Sequence, residues 1–84
     1  MKIINEPIKV MVIFHPNKKL ERGKIQLIKF RFKDKVVPVQ KVTKIYEENI
    51  VGNKRIVFVC QQLNGDMYEL KYEIDSKDWY LFKK

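Results

Sequence analysis

The chain alternates apolar and polar positions in steps of two, and that period argues for strands. Ile8, Val10, Val12 and Phe14 fall on one face of a first strand, Ile8 to Phe14, with Met11 and Ile13 opposite. His15-Pro16-Asn17-Lys18-Lys19 ends it in a turn, and Leu20 to Gly23 continues as a loop. A second strand runs from Ile25 to Lys33. Ile25 and Leu27 start in phase, then Ile28, Phe30 and Phe32 carry the apolar face. A shift of one residue in phase is the signature of a β-bulge.

Lys33-Asp34-Lys35 is a tight polar connection, so a hairpin follows. The third strand, Val36 to Tyr46, exceeds the usual five or six residues, which predicts a bend around a corner. Pro38 places its start at an edge or a bulge. Glu47 to Lys54 reads as a polar loop carrying Gly52-Asn53. Arg55 to Leu63 is a fourth strand. Asn64-Gly65 suits a tight hairpin turn. Met67 to Asp75 alternates most regularly, with Tyr68, Leu70, Tyr72 and Ile74 against Glu69, Lys71 and Glu73. Asp75 to Asp78 is a turn, and Trp79 to Phe82 a short sixth strand.

Apolar residues never recur at helical spacing over three turns. The expected fold class is therefore all-β: one domain, a five- to six-stranded antiparallel meander curled into a small barrel or a strongly curved sheet. The barrel is favoured, because a flat sheet would expose the second apolar face of the strands at Ile8 and Arg55 with no helix to cover it.

Length and composition narrow the classes. Eighty-four residues, 45% of them hydrophobic and 12% aromatic, make ordinary globular composition rather than a disordered chain. One cysteine, Cys60, cannot close a disulfide within the chain, and one Cys with one His makes no zinc site of the usual kind. Asn5, Glu6 and Pro7 interrupt any apolar leader, and the longest apolar run, Val10 to Phe14, is far short of a membrane span. The expectation is a protein of the reducing cytoplasm with no membrane partner.

Charge changes the picture more. The formal net charge is +8, and it is lopsided: residues 1–44 hold 12 basic and 3 acidic side chains, residues 45–84 hold 6 and 7. Such asymmetry points to a polyanionic partner. Lys29, Arg31 and Lys33 alternate on the face opposite Ile28, Phe30 and Phe32, about 7 Å apart, near the phosphate spacing of an extended nucleic-acid strand. Lys35, Lys41 and Lys44 fall on the hairpin partner or its turn, and some must neighbour that row. Two readings stand: a nucleic-acid surface made of these six side chains, or solvated lysines that keep sheet edges from aggregating. Tyr46, Tyr80 and Trp79 are candidate stacking platforms, although Trp79 is read first as the anchor of the terminal strand in the core.

Catalytic parts are scarce. Cys60 alternates in phase with Ile56 and Phe58, where a thiol stays protonated and inert, and His15 lies in a turn. Ser76, the sole serine, serves a charged turn. Glu47-Glu48, Glu69 with Glu73, and Asp75 with Asp78 read as solvated ion-pairing acids. Gly23, Gly52 and Gly65 are isolated, so no phosphate loop is present. No enzymatic activity and no cofactor are expected.

Glu6-Pro7-Ile8 near the start, the hairpin from Phe30 to Val42, Tyr68-Glu69-Leu70 and the terminal Trp79-Tyr80-Leu81 fall in an order that resembles a family of short bacterial proteins of unknown function. Its members show an acidic-Pro-Ile/Val opening, an aromatic hairpin, a Tyr-Glu-Leu strand and a terminal Trp-x-Leu. The resemblance implies an all-β fold, no agreed catalytic residues, and, through the company some relatives keep with error-prone DNA polymerase genes, a nucleic-acid or replication-protein partner. The rival expectation is a protein-interaction module in which a sheet edge at Val36–Val39 accepts a partner strand or a second copy.

Overall fold

The structure, a computed structural model, describes residues 2–15 and 25–84. The turn expected at Pro16–Lys19 and the loop Leu20–Gly23 lie outside them. Seven strands are formed by the described residues: β1 (Ile3–Phe14), β2 (Ile25–Phe32), β3 (Lys35–Pro38), β4 (Lys41–Ile50), β5 (Asn53–Gln61), β6 (Met67–Glu73) and β7 (Asp78–Lys83). They make one antiparallel sheet in the order β3-β2-β1-β7-β6-β5-β4.

The expected closed barrel is not formed, because β3 and β4, at the two ends of this order, do not pair with each other. The expected bend explains why. Only Val39 and Gln40 separate β3 from β4, and those three virtual bonds reach at most about 11 Å. A flat sheet would hold its outermost strands six spacings apart, about 29 Å. The sheet therefore curls until its edges meet at that corner. What reads in the sequence as one long strand is two: its first part pairs with β2 and its second with β5.

β1 divides its partners in the same way. Residues Ile3 to Ile8 pair with β7, and Lys9 to Phe14 with β2. The strand starts five residues earlier than the alternation suggests. Asn5 takes a left-handed φ of 51° where the β1–β7 register shifts, so the interruption at Asn5-Glu6-Pro7 is bridged by an irregularity rather than ending the strand. The molecule is thus two leaves of one sheet. A three-stranded leaf (late β1, β2, β3) faces a five-stranded leaf (early β1, β7, β6, β5, β4).

The core lies between the leaves. Ile25, Leu27, Phe30 and Phe32 of β2 meet Ile56, Phe58 and Cys60 of β5, Tyr68 and Leu70 of β6, and Leu81 of β7. The rings of Phe30 and Tyr68 stand 5.4 Å apart across the gap. Trp79 anchors β7 against Tyr72 at 4.6 Å and Phe58 at 5.5 Å, which is the core role rather than the platform role. The phase shift in β2 is a bulge: Met11 faces Lys29 while Val12 faces Leu27, which leaves Ile28 as the extra residue. This bulge lets Leu27 and Phe30, three residues apart, both point inward.

The connections follow local backbone chemistry. Lys33 and Asp34 both have positive φ and form a two-residue turn into β3. The expected loop Glu47–Lys54 is shorter than its polarity suggests: β4 and β5 pair as far as Ile50 and Asn53, around Val51 and Gly52, both at positive φ. Asn64-Gly65 sits in a longer connection. There the Gln62 amide donates to the Asp66 carbonyl at 2.9 Å, and Gly65 takes the left-handed φ of 92°.

Candidate nucleic-acid interface

The outward face of the three-stranded leaf is built by register. Lys9 of β1 stands opposite Arg31 of β2, which stands opposite Val36 of β3; one step along, Met11, Lys29 and Pro38 form the next row. Ile13 and Gln26 make a third. The cations on β2 run down the middle, with apolar side chains on both flanks. Met11, Ile13 and Val36 are about half exposed, at 54%, 47% and 51%. Lys9, Met11, Lys29, Arg31 and Val36 line an open groove of about 600 Å³. A smaller depression continues from Lys9 and Arg31 to Asp34.

Among the described residues, none of Lys9, Lys29 and Arg31 makes an ion pair. Three like charges on neighbouring strands repel, and Lys9 directly opposes Arg31, an arrangement that costs stability in a sheet.

The six cations singled out in the sequence do not all join this face. Lys29 and Arg31 do. Lys33 sits in the turn, its Nζ 5.3 Å from the centre of the Phe32 ring. Lys35 pairs with Phe32, so it lies on the rim of the core side of the hairpin. Lys41 and Lys44 are not on the hairpin partner, which ends at Pro38. They belong to β4 in the other leaf, opposite Gln61 and Val59. Lys44 rests over the ring of its own neighbour Tyr46 at 5.1 Å. Lys9 completes the face and is the residue that charge counting passed over. Its signal was visible in the alternation, out of phase with Ile8, Val10 and Val12.

The outward face of the five-stranded leaf is of a different kind. Register brings Tyr46, Val57, Lys71 and Tyr80 into one row and Glu48, Arg55 and Glu73 into the next. Val57 is fully covered and Lys71 is 6% exposed, although no other layer of described residues packs over them. The Lys71 ammonium donates to Glu48 Oε2 at 2.9 Å and lies 3.5 Å from the centre of the Phe82 ring. Arg55 reaches Glu73 at 3.5 Å and Glu48 at 4.0 Å. Of the six acids expected to ion-pair in water, Glu48 and Glu73 pair among the described residues, Glu48 with the buried Lys71 and both with Arg55. Burial, with Glu69 and Glu48 nearby, pushes the Tyr46 hydroxyl above its ordinary pKa.

Cys60 is fully covered. Burial drives its thiol up to about 12, and its Sγ donates weakly to the Phe58 carbonyl at 3.7 Å. His15 contacts Gln26, Nε2 to Oε1 at 2.9 Å, so the two side chains make separate contacts. Among the described residues, no three of His, Cys, Asp and Glu gather to hold a metal.

Fold and face together define a small, strongly curved antiparallel β domain with one basic, partly apolar flank. No family model, no curated protein and no solved structure matches the chain.

Proposed function

We propose that the protein is a nucleic-acid-binding module that lays a single strand along β2, over the outward face of the three-stranded leaf. The observation that carries this reading is the cluster of Lys9, Lys29 and Arg31, unpaired among the described residues, around an open groove with half-exposed Met11, Ile13 and Val36. Lys29 and Arg31, two residues apart, are spaced about 7 Å along the strand and take successive phosphates. The flanking Met11, Ile13 and Val36 take sugars and base faces by aliphatic contact. An open sheet face also suits a single strand better than a duplex, whose major groove admits a protruding helix or ribbon.

The test is fluorescence anisotropy with labelled single- and double-stranded DNA and RNA at two salt concentrations. Single strands bind, and affinity falls steeply with salt because phosphate contacts release counterions. Absence of any salt-dependent binding would end the proposal.

A further inference from the structure

The curled sheet leaves one long edge. β4 ends the strand order, and among the described residues its ten residues pair only with β5. Exposed edges of this length are templates for another strand unless something blunts them. A bulge at Thr43, where the register jumps from Val42–Cys60 to Lys44–Val59, blunts the first part. That leaves the regular segment Lys44-Ile45-Tyr46-Glu47-Glu48, in which charge runs from basic to acidic.

We infer that this segment pairs antiparallel with the same segment of a second copy, with Tyr46 on the two-fold axis. The argument is the charge pattern. Lys44, Tyr46 and Glu48 face outward together, because they oppose Val59, Val57 and Arg55, which alternate with the core residues Ile56, Phe58 and Cys60. Antiparallel partners share a face, so the register shifts in steps of two. With Tyr46 opposite the partner's Tyr46, Lys44 lies opposite the partner's Glu48, twice by symmetry. Moving the axis one residue earlier sets Lys44 beside the partner's Tyr46 without a charge pair. Moving it to Lys44, Glu47 or Glu48 sets like charges in contact, which is destabilising. The two aromatic rings on the axis add a cross-strand pair of the favourable kind.

The contact is isologous and closes on itself, so it ends at two copies rather than a fibre. It joins two five-stranded leaves into one ten-stranded sheet. The basic face described above lies on the other leaf, so the inference is independent of nucleic-acid binding.

Sedimentation equilibrium of the full chain without nucleic acid tests it, over roughly 10 µM to 1 mM, the range in which an interface below standard size associates. The expected mass rises toward twice 10.2 kDa. Lys44→Glu, a change at an exposed side chain, weakens dimerisation by about tenfold or more, because it places two pairs of like charges opposite each other. Under mild oxidation Tyr46→Cys gives a reducible dimer, since Cα atoms of directly opposed residues lie about 4.5–5.5 Å apart, within disulfide reach. Val36→Cys, on the other edge, gives none. Cys60 is buried and does not confound the result. A wild-type chain that stays monomeric over the whole range overturns the inference. So does a dimer that Lys44→Glu leaves intact, or one that Val36→Cys traps instead of Tyr46→Cys.

Discussion

Lys71 supplies the sharpest stability prediction. Its ammonium is 2.9 Å from Glu48 and its side chain only 7% exposed, while the Glu48 side chain is 23% exposed and has Arg55 at 4.0 Å as a second partner. Removing one member of a buried pair leaves the other uncompensated, at about 3–5 kcal/mol. Lys71→Met keeps the apolar stem and leaves Glu48 with some water and Arg55, so the cost falls below that range, at about 2 kcal/mol. Glu48→Gln strands the better-buried ammonium and costs about 3 kcal/mol. The double variant leaves no stranded charge but still lacks the cation over Phe82, so it costs about 2 kcal/mol. The coupling energy is therefore about 3 kcal/mol, near the upper end for contacting residues. Urea unfolding of the four proteins measures it, with unchanged m-values as the check on two-state behaviour. A double variant costing about the sum of the singles, about 5 kcal/mol, would refute the reasoning. It would mean that lysine and glutamate are held by their surroundings and not by each other.

Three further outcomes follow from the same geometry. If the basic face holds a single strand, three phosphate contacts give a log–log salt slope of about −2; Lys29→Ala with Arg31→Ala reduces it to about −0.7, and Lys41→Ala with Lys44→Ala leaves it unchanged. Equal losses in the two pairs, read by anisotropy, would show that the leaf does not organise binding. The Cys60 thiol is raised from 9.0 to about 12, so the folded chain keeps a proton that the unfolded chain releases; stability is full below pH 9 and falls between pH 9 and 12. The fall from this group is at most about 1.4 kcal/mol per pH unit, and Cys60→Ala makes the decline seen in urea titrations shallower by that amount. Val51, 98% exposed with φ 49°, is a β-branched residue in the left-handed region. Val51→Asn creates an Asn-Gly turn and stabilises by about 1 kcal/mol, seen as a melting temperature about 4–8 °C higher; no rise would show that the valine carries no strain.

How far the fold was legible depends on how local its causes are. Alternation in Tyr68, Leu70 and Tyr72 located β6, and the one-residue phase change located the Ile28 bulge, because both express a two-fold period that needs no partner strand. The long strand from Val36 announced its bend by length and Pro38. That the bend would place its halves on opposite edges of an unclosed sheet depends on which strands pair, and no local pattern carries that. Lys71 misleads for the same reason. It alternates as a solvent-facing residue should, and only the assembly of β4, β5, β6 and β7 brings Glu48 and Phe82 onto its ammonium. The basic face was half legible: Lys29 and Arg31 by alternation, but Lys9 joined them through a ladder, and Lys41 and Lys44 left them at the corner.

The ladder between the first and last strands sets the order of assembly. β7 lies between β1 and β6, and the Lys2 and Lys84 backbones exchange hydrogen bonds of 2.8 and 3.0 Å. During synthesis, β2 can pair with the late half of β1 and with β3, and β4 to β6 with one another, as they emerge, whereas the early half of β1, Ile3 to Ile8, waits for a neighbour encoded some seventy residues downstream. The gap across which the two leaves must join stays open until Trp79 and Leu81 leave the ribosome, so the nascent chain exposes its oil for most of its translation.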